Sequence, residues 1–263
     1  MGWAETFKRM DERRYYGVKV PEITASFWVA KILSTAMGEA TSDFLVFHTN
    51  PYFAVAAGGL GFLLALALQF RARRYVPALY WLLVIMVSIF GTMIADVIHV
   101  VLGVPYIITT SSFLVCLLVI LWGWHATERS LAIHTVATPR REAFYWATVI
   151  ATFALGTAAG DLTASTFGMG YLNSALLFSS LFALSGIAYF AFGLNSIFAF
   201  WSAYILTRPM GASFADWLDK PVRTSGLGYG TPDVAASLAI AAALAVIYIS
   251  LRHWRRGAAL SPR

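Results

Sequence analysis

One spacing recurs four times in this chain: an aromatic residue, Trp, Gly ten positions after the Trp, and Asp five positions after the Gly. The copies are Phe27-Trp28…Gly38…Asp43, Tyr80-Trp81…Gly91…Asp96, Tyr145-Trp146…Gly156…Asp161 and Phe200-Trp201…Gly211…Asp216, and none needs a gap. Each copy lies in an apolar stretch long enough to cross a bilayer. A carboxylate is costly there, so one that returns at the same place in every copy marks a candidate site. After each copy comes a plainer apolar segment that opens near a Tyr (Tyr52, Tyr106, Tyr171, Tyr229). The repeating unit is therefore a helix pair. The matched spacings of Trp28 to Trp146 and of Trp81 to Trp201 group the four pairs into two four-helix halves.

Of the 263 residues, 59% are hydrophobic and 12% charged, against about 25% charged in soluble domains. This is the composition of a polytopic membrane protein. Eight spans are expected, at roughly 23–46, 52–70, 76–102, 105–125, 141–163, 171–192, 196–217 and 233–251, each near the ~20 residues that a membrane helix needs. Strands of a membrane barrel are excluded, because the apolar runs are continuous and much longer than about 10 residues. The expected class is all-α: four parallel two-helix repeats about a pseudo-fourfold axis along the membrane normal. The odd helices ring the axis, and the even helices pack around or between them. The boundaries read as an N-terminal segment 1–22, one transmembrane domain 23–251 with repeats at about 23–75, 76–140, 141–195 and 196–251, and a tail 252–263.

Basic residues set the orientation. They cluster before the first span (Lys8, Arg9, Arg13, Arg14, Lys19), between spans two and three (Arg71, Arg73, Arg74), between four and five (Arg129, Arg140, Arg141) and in the tail (Arg252, Arg255, Arg256, Arg263). Only Lys220 and Arg223 fall in the opposite loops. Both termini are thus expected in the cytoplasm, and the net charge of +6 needs no nucleic acid to explain it. The N-terminal segment lacks the short apolar core and cleavage site of a signal peptide. The single Cys116 excludes an internal disulfide and a thiolate metal cluster.

Helical geometry stacks the repeats into layers. The outermost ring is Asp43, Asp96, Asp161 and Asp216. One turn inward come Glu39, Thr92, Thr157 and Ala212, and a further turn inward Thr35, Ser88, Phe153 and Arg208. Lys31 lies at the edge of the same face, and His99 continues it beyond Asp96. Glu39 and the four Asp outnumber the two intramembrane cations, Lys31 and Arg208, so an anionic substrate is disfavoured. Crowded carboxylates in low dielectric must hold protons or a cation. Oxygen ligands with His99 as an added imidazole suit Mn²⁺, Mg²⁺, Ca²⁺ or Fe²⁺, and a metal ion displaces protons from such ligands.

Plainer readings stand beside these. The Asp residues can simply mark the outer ends of the spans, and Glu39 can form a structural ion pair with Lys31 or Arg208. Arg208-Pro209 marks either a helix break whose freed carbonyls line a cavity or a kink. His99 reads first as a satisfied core histidine, and the four Trp as an aromatic belt at the cytoplasmic interface.

The string Lys31-Ile-Leu-Ser-Thr35-Ala-Met-Gly38-Glu39-Ala-Thr-Ser-Asp43-Phe44 resembles the first helix of a bacterial family of polytopic proteins labelled only "membrane-anchored protein". The resemblance implies a bacterial inner membrane and brings no activity with it. The expected function is transport of a divalent, Mn-like cation, coupled to protons and with no permanently bound cofactor. Glu39, Asp43, Asp96, Asp161, Asp216 and His99 are the expected metal ligands. Thr35, Ser88, Thr92 and Thr157 supply neutral oxygens, and Lys31 and Arg208 act as tethered cations. Partners are lipid, the metal ion and protons, with no nucleic acid; a homo-oligomer is left open. A passive cation channel and an intramembrane sensor or enzyme are the alternatives. Enzymatic chemistry is not expected, for no Ser-His or HExxH-type pairing supports it.

Overall fold

The computed structural model describes residues 17–260. The basic residues Lys8, Arg9, Arg13, Arg14 and Arg263 lie outside the described residues. Eight α-helices make up the described chain: α1 Ala25–His48, α2 Pro51–Arg71, α3 Pro77–Asp96, α4 Tyr106–Glu128, α5 Pro139–Asp161, α6 Tyr171–Phe192, α7 Ser196–Asp219 and α8 Thr231–Leu260. Helices α3 and α5 run on into π-helical turns, Val97–Val101 and Leu162–Thr166, directly after their repeat Asp.

Local chemistry sets the helix starts. The Thr24 and Thr138 side chains accept the Phe27 and Arg141 amides, and Asn50 and Asn195 each accept two amides of the following turn. These caps satisfy the orphan donors of the first turn. Pro51, Pro77 and Pro139 sit at the first helical position, where no amide is needed. Gly193 ends α6 in the left-handed conformation (φ +67°), which a side chain disfavours. Helix α7 continues unbroken through Pro209, so the break considered from sequence does not occur.

Six helices are long and apolar enough to cross a membrane: α2, α3, α4, α5, α6 and α8. Helices α1 and α7 match them in length, at 24 residues each, but carry Lys31, Glu39 and Asp43, and Arg208, Asp216 and Asp219. Those charges lower their hydropathy and lie inside the bundle: Lys31 and Arg208 are 0% exposed and Glu39 4%. The even helices instead turn Leu60, Leu64, Leu118, Leu184, Ile187 and Leu244 outward. Apolar surface outside and charge inside is the arrangement a lipid solvent selects.

The odd helices close into a ring. Helix α1 packs on α3 and α7, and α5 packs on the same two. The even helices cover the ring in a displaced order: α2 lies chiefly on α3, α4 on α5, α6 on α7, and α8 on α1. Each repeat thus covers the first helix of the next repeat, and the last covers the first. This interlocking leaves no repeat able to bury its own apolar face, so the four are stable only together.

The repeated Gly closes the ring. A Cβ on Gly38 would strike Ser88, one on Gly91 would meet Phe153, one on Gly156 would strike Arg208, and one on Gly211 would strike Thr35. Each struck residue lies three positions before the Gly of its own repeat. The same contact is therefore made at all four interfaces of the ring. Small residues let membrane helices approach at van der Waals distance, and here they set one depth for the whole axis.

Candidate functional site

At that depth the ring converges on one side chain. The two Nη2 hydrogens of the Arg208 guanidinium are shared among Glu39 Oε2 (2.7 Å), Thr157 Oγ1 (2.7 Å) and Thr92 Oγ1, and Nη1 donates to the Thr35 carbonyl (3.1 Å). Its partners come from the three other repeats. Glu39, Thr92 and Thr157 are three members of the layer read from sequence, and the fourth is Ala212, one turn beyond Arg208 on α7. Thr92 also donates to Glu39 (3.1 Å), and Ser88 donates to the Thr35 carbonyl (3.4 Å). Glu39, Thr35, Ser88, Thr92, Thr157 and Arg208 are thereby brought together on the axis.

Lys31 lies one turn further towards the end where α1 begins and α8 ends. Its Nζ has no hydrogen-bond partner among the described residues and sits 4.1 Å from the Phe153 ring centre and 4.4 Å from that of Tyr204. The Arg208 Cζ stands 5.2 Å from the same Phe153 ring. Phe153 is thus a platform shared by both axial cations, since an aromatic face attracts positive charge.

Below Lys31 the axis is filled by Phe27, Tyr80, Trp81, Tyr145, Trp146 and Tyr204, all buried. Tyr80 and Tyr145 share a hydroxyl–hydroxyl bond of 2.6 Å. The aromatic belt expected for the Trp residues is corrected here. Trp81, Trp146 and Trp201 are core residues and Trp28 is half-buried. Closure of the ring turns the aromatic-Trp pair of each repeat inward, where large rings fill the space that the Gly layer narrows above. The same end is tied by a second buried pair, Lys19 to Glu142 at 2.6 Å, with Gln69 donating to Glu142 (3.1 Å). The Lys19 amide donates to the Val136 carbonyl (3.0 Å), which holds the segment before α1 against the loop before α5.

The opposite end is acidic. Asp43, Asp216 and Asp219 are buried, and each offers a carboxylate oxygen within 4.8 Å of the others. Lys220, in the loop beyond α7, is ion-paired to Asp43 and lies 3.6 Å from Asp216. Burial alone would lower the Lys220 pKa, but the charges of Asp216, Asp43 and Asp219 outweigh it and raise it above the ordinary lysine value. Asp96 and Asp161 are not members of this triad; both stand half-buried at the π-helical turns of α3 and α5. His99 is engaged by the loop and helix that follow its turn, its Nδ1 2.8 Å from the Val104 carbonyl and its ring stacked on Tyr106 at the start of α4.

Asp219 and Lys220 escape the sequence reading because they lie off the repeat register. The available signal was local: Asp216, Asp219 and Lys220 follow the i, i+3, i+4 spacing that aligns side chains on one helix face.

The arrangement offers six carboxylates (Glu39, Asp43, Asp96, Asp161, Asp216, Asp219) and three cations (Lys31, Arg208, Lys220) along one axis. The triad has the donor chemistry for a hard metal ion, whereas the Glu39 layer already holds a guanidinium. No curated protein and no solved structure matches the chain. The family described as "Repeat of Unknown Function (DUF347)" matches residues 26–75, 79–130, 144–194 and 199–253, one match for each helix pair. The chain is a multi-pass membrane protein that belongs to the DUF347 repeat family, with four copies of the repeat.

Proposed function

We propose that this protein transports a divalent, Mn-like metal cation across a bacterial inner membrane, with protons moving in exchange and both termini in the cytoplasm. One observation carries the reading. Arg208 is a tethered cation held on the symmetry axis by oxygens of the three other repeats. A cation passing along the axis would need the same oxygens, so the guanidinium stands where the cargo would stand and must be displaced for passage. Glu39, Asp43 and Asp216 are paired with Arg208 and Lys220, so the exchanged protons would come from the carboxylates without a paired cation among the described residues, Asp96, Asp161 and Asp219, as metal enters the acidic end.

A passive channel with the same rings fits less well. Arg208, Phe153 and Tyr204 close the axis, and conduction requires a continuous polar path. Alternating access suits a path that is acidic at one end and filled by aromatic rings at the other.

The test is Mn²⁺ flux in proteoliposomes, with a pH-sensitive dye reporting protons. Glu39→Asp keeps the charge but withdraws the carboxylate from the axis, and Asp43→Asn removes one charge from the acidic end. Each should lower flux at least tenfold in protein that stays monodisperse. Wild-type flux in both variants overturns the reading.

A further inference from the structure

We infer that Asp43, Asp216 and Asp219 form a divalent-cation site at the acidic mouth of the axis, and that the Lys220 ammonium is its built-in competitor. The inference builds on the cation reading above, but it concerns binding rather than flux. It places the metal in one site on the α1–α7 side of the ring, in place of a symmetric ring of four Asp.

Two independent observations support the site. The first is the convergence of three carboxylates from two helices within 4.8 Å, the span of an oxygen shell around an ion with bonds of about 2.0–2.6 Å. The second is Asp219 itself. It is 4% exposed, and neither carboxylate oxygen has a hydrogen-bond partner among the described residues. A buried carboxylate without a donor is costly. Lys220 reaches Asp43 and Asp216 and makes no hydrogen bond to Asp219. A metal ion among the three meets all of them and brings two charges where the ammonium brings one.

The loop is built for Lys220 to leave without refolding. Its backbone is pinned: the Lys220 amide donates to the Asp216 carbonyl (2.9 Å), and its carbonyl accepts from Gly228 (2.9 Å). Gly226 packs so closely on the Lys220 carbonyl that a Cβ there would overlap it. The side chain, by contrast, is 23% exposed. Its Nζ lies 5.6 Å from the ring centre of Phe47, a largely exposed aromatic. Rotation towards that face would keep the ammonium paired with an aromatic ring while the carboxylates close on the metal. The donor set is oxygen only, without thiolate or imidazole, which selects Mn²⁺, Mg²⁺ or Ca²⁺ over softer ions.

The experiment is Mn²⁺ titration of the purified full chain in detergent, read by the electron spin resonance of free Mn²⁺, together with thermal melting with and without Mn²⁺. Lys220→Met should bind Mn²⁺ at least tenfold more tightly than wild type and gain more melting temperature from it. Adding Asp219→Asn should undo the gain by at least tenfold. Equal or weaker binding by Lys220→Met, or no effect of Asp219→Asn in that background, overturns the inference. Should Lys220→Met fail to give monodisperse protein, Asp219→Asn alone decides: weakened Mn²⁺ binding supports the site, and unchanged binding refutes it. The two readings fail separately. Tight Mn²⁺ binding without flux removes transport and leaves the site. Flux that depends on Glu39 and binding that ignores Lys220 and Asp219 removes only the site.

Discussion

The sharpest prediction concerns the axial ion pair. Arg208 is fully buried and meets Glu39 at 2.7 Å, so neither partner has water to fall back on. Replacing Glu39 by Gln leaves the guanidinium with neutral partners only: Thr92, Thr157 and the Thr35 carbonyl. Replacing Arg208 by Met leaves the Glu39 carboxylate with one donor, Thr92 at 3.1 Å. Removing one member of a buried pair costs about 3–5 kcal/mol, because an uncompensated charge remains, whereas removing both is often close to neutral. Each single variant should therefore lose about 3–5 kcal/mol. The double variant Glu39→Gln/Arg208→Met should lose less than either, a coupling of at least about 3 kcal/mol. Equilibrium unfolding in mixed micelles measures all four proteins. Additive losses in the double variant would refute the reasoning, since the pair would then contribute nothing as a pair. Transport should be absent from all three variants, because an empty axial seat and an overcharged one both differ from an exchangeable cation.

Two further outcomes follow from the packing. Gly156→Ala places a methyl against the Arg208 stem and Pro209 Cδ (2.9 Å), and should cost about 1–3 kcal/mol by overpacking, while Gly186→Ala, which meets nothing within 4 Å, should not destabilise and should gain up to about 1 kcal/mol from helix propensity. At the other end, Lys19→Met strands the buried Glu142 and should cost about 3–5 kcal/mol; limited proteolysis should then cut the segment before α1 faster, with Mn²⁺ binding unaltered.

Much of this architecture is legible in the sequence because the repeat is ungapped. A Gly and an Asp five residues apart on each odd helix fix a depth and a face, so layers written from spacing alone correspond to real neighbours. Glu39, Thr92 and Thr157 meet one guanidinium, and Thr35, Ser88, Phe153 and Arg208 each seat the Gly of an adjacent repeat. The even helices are less legible. Contiguity suggests that α2 serves α1, yet it lies mainly on α3, because hydropathy states that a face must be covered and not by which neighbour. The Trp residues mislead for a related reason: an indole near a helix end suits both an interface and a closed core, and ring closure decides between them. Asp219 and Lys220 belong to one repeat only, so no internal comparison draws attention to them.

The departures from symmetry point to where a cation would travel. Repeats one and four supply every charged side chain of the inner axis, Lys31, Glu39 and Arg208, and all three carboxylates of the triad. Repeats two and three supply Ser88, Thr92, Thr157 and Phe153, and they alone carry a π-helical turn after the Asp. Concentrating charge on α1 and α7, which are in direct contact, gives the axial Glu39–Arg208 seat one acidic side, so the triad would feed that seat from the α1–α7 seam. Along α1 the step from Asp43 to Glu39 is a single turn, about 6 Å, a distance over which one ion can be handed from the triad to the carboxylate that now holds Arg208. The same two helices are the two of the eight that fall short of the apolar run a membrane span needs, and α8 covers α1 while α6 covers α7. The covering helices are what allow the seam to carry charge without meeting lipid, so the displaced packing of the repeats and the placement of the carboxylates are two parts of one solution.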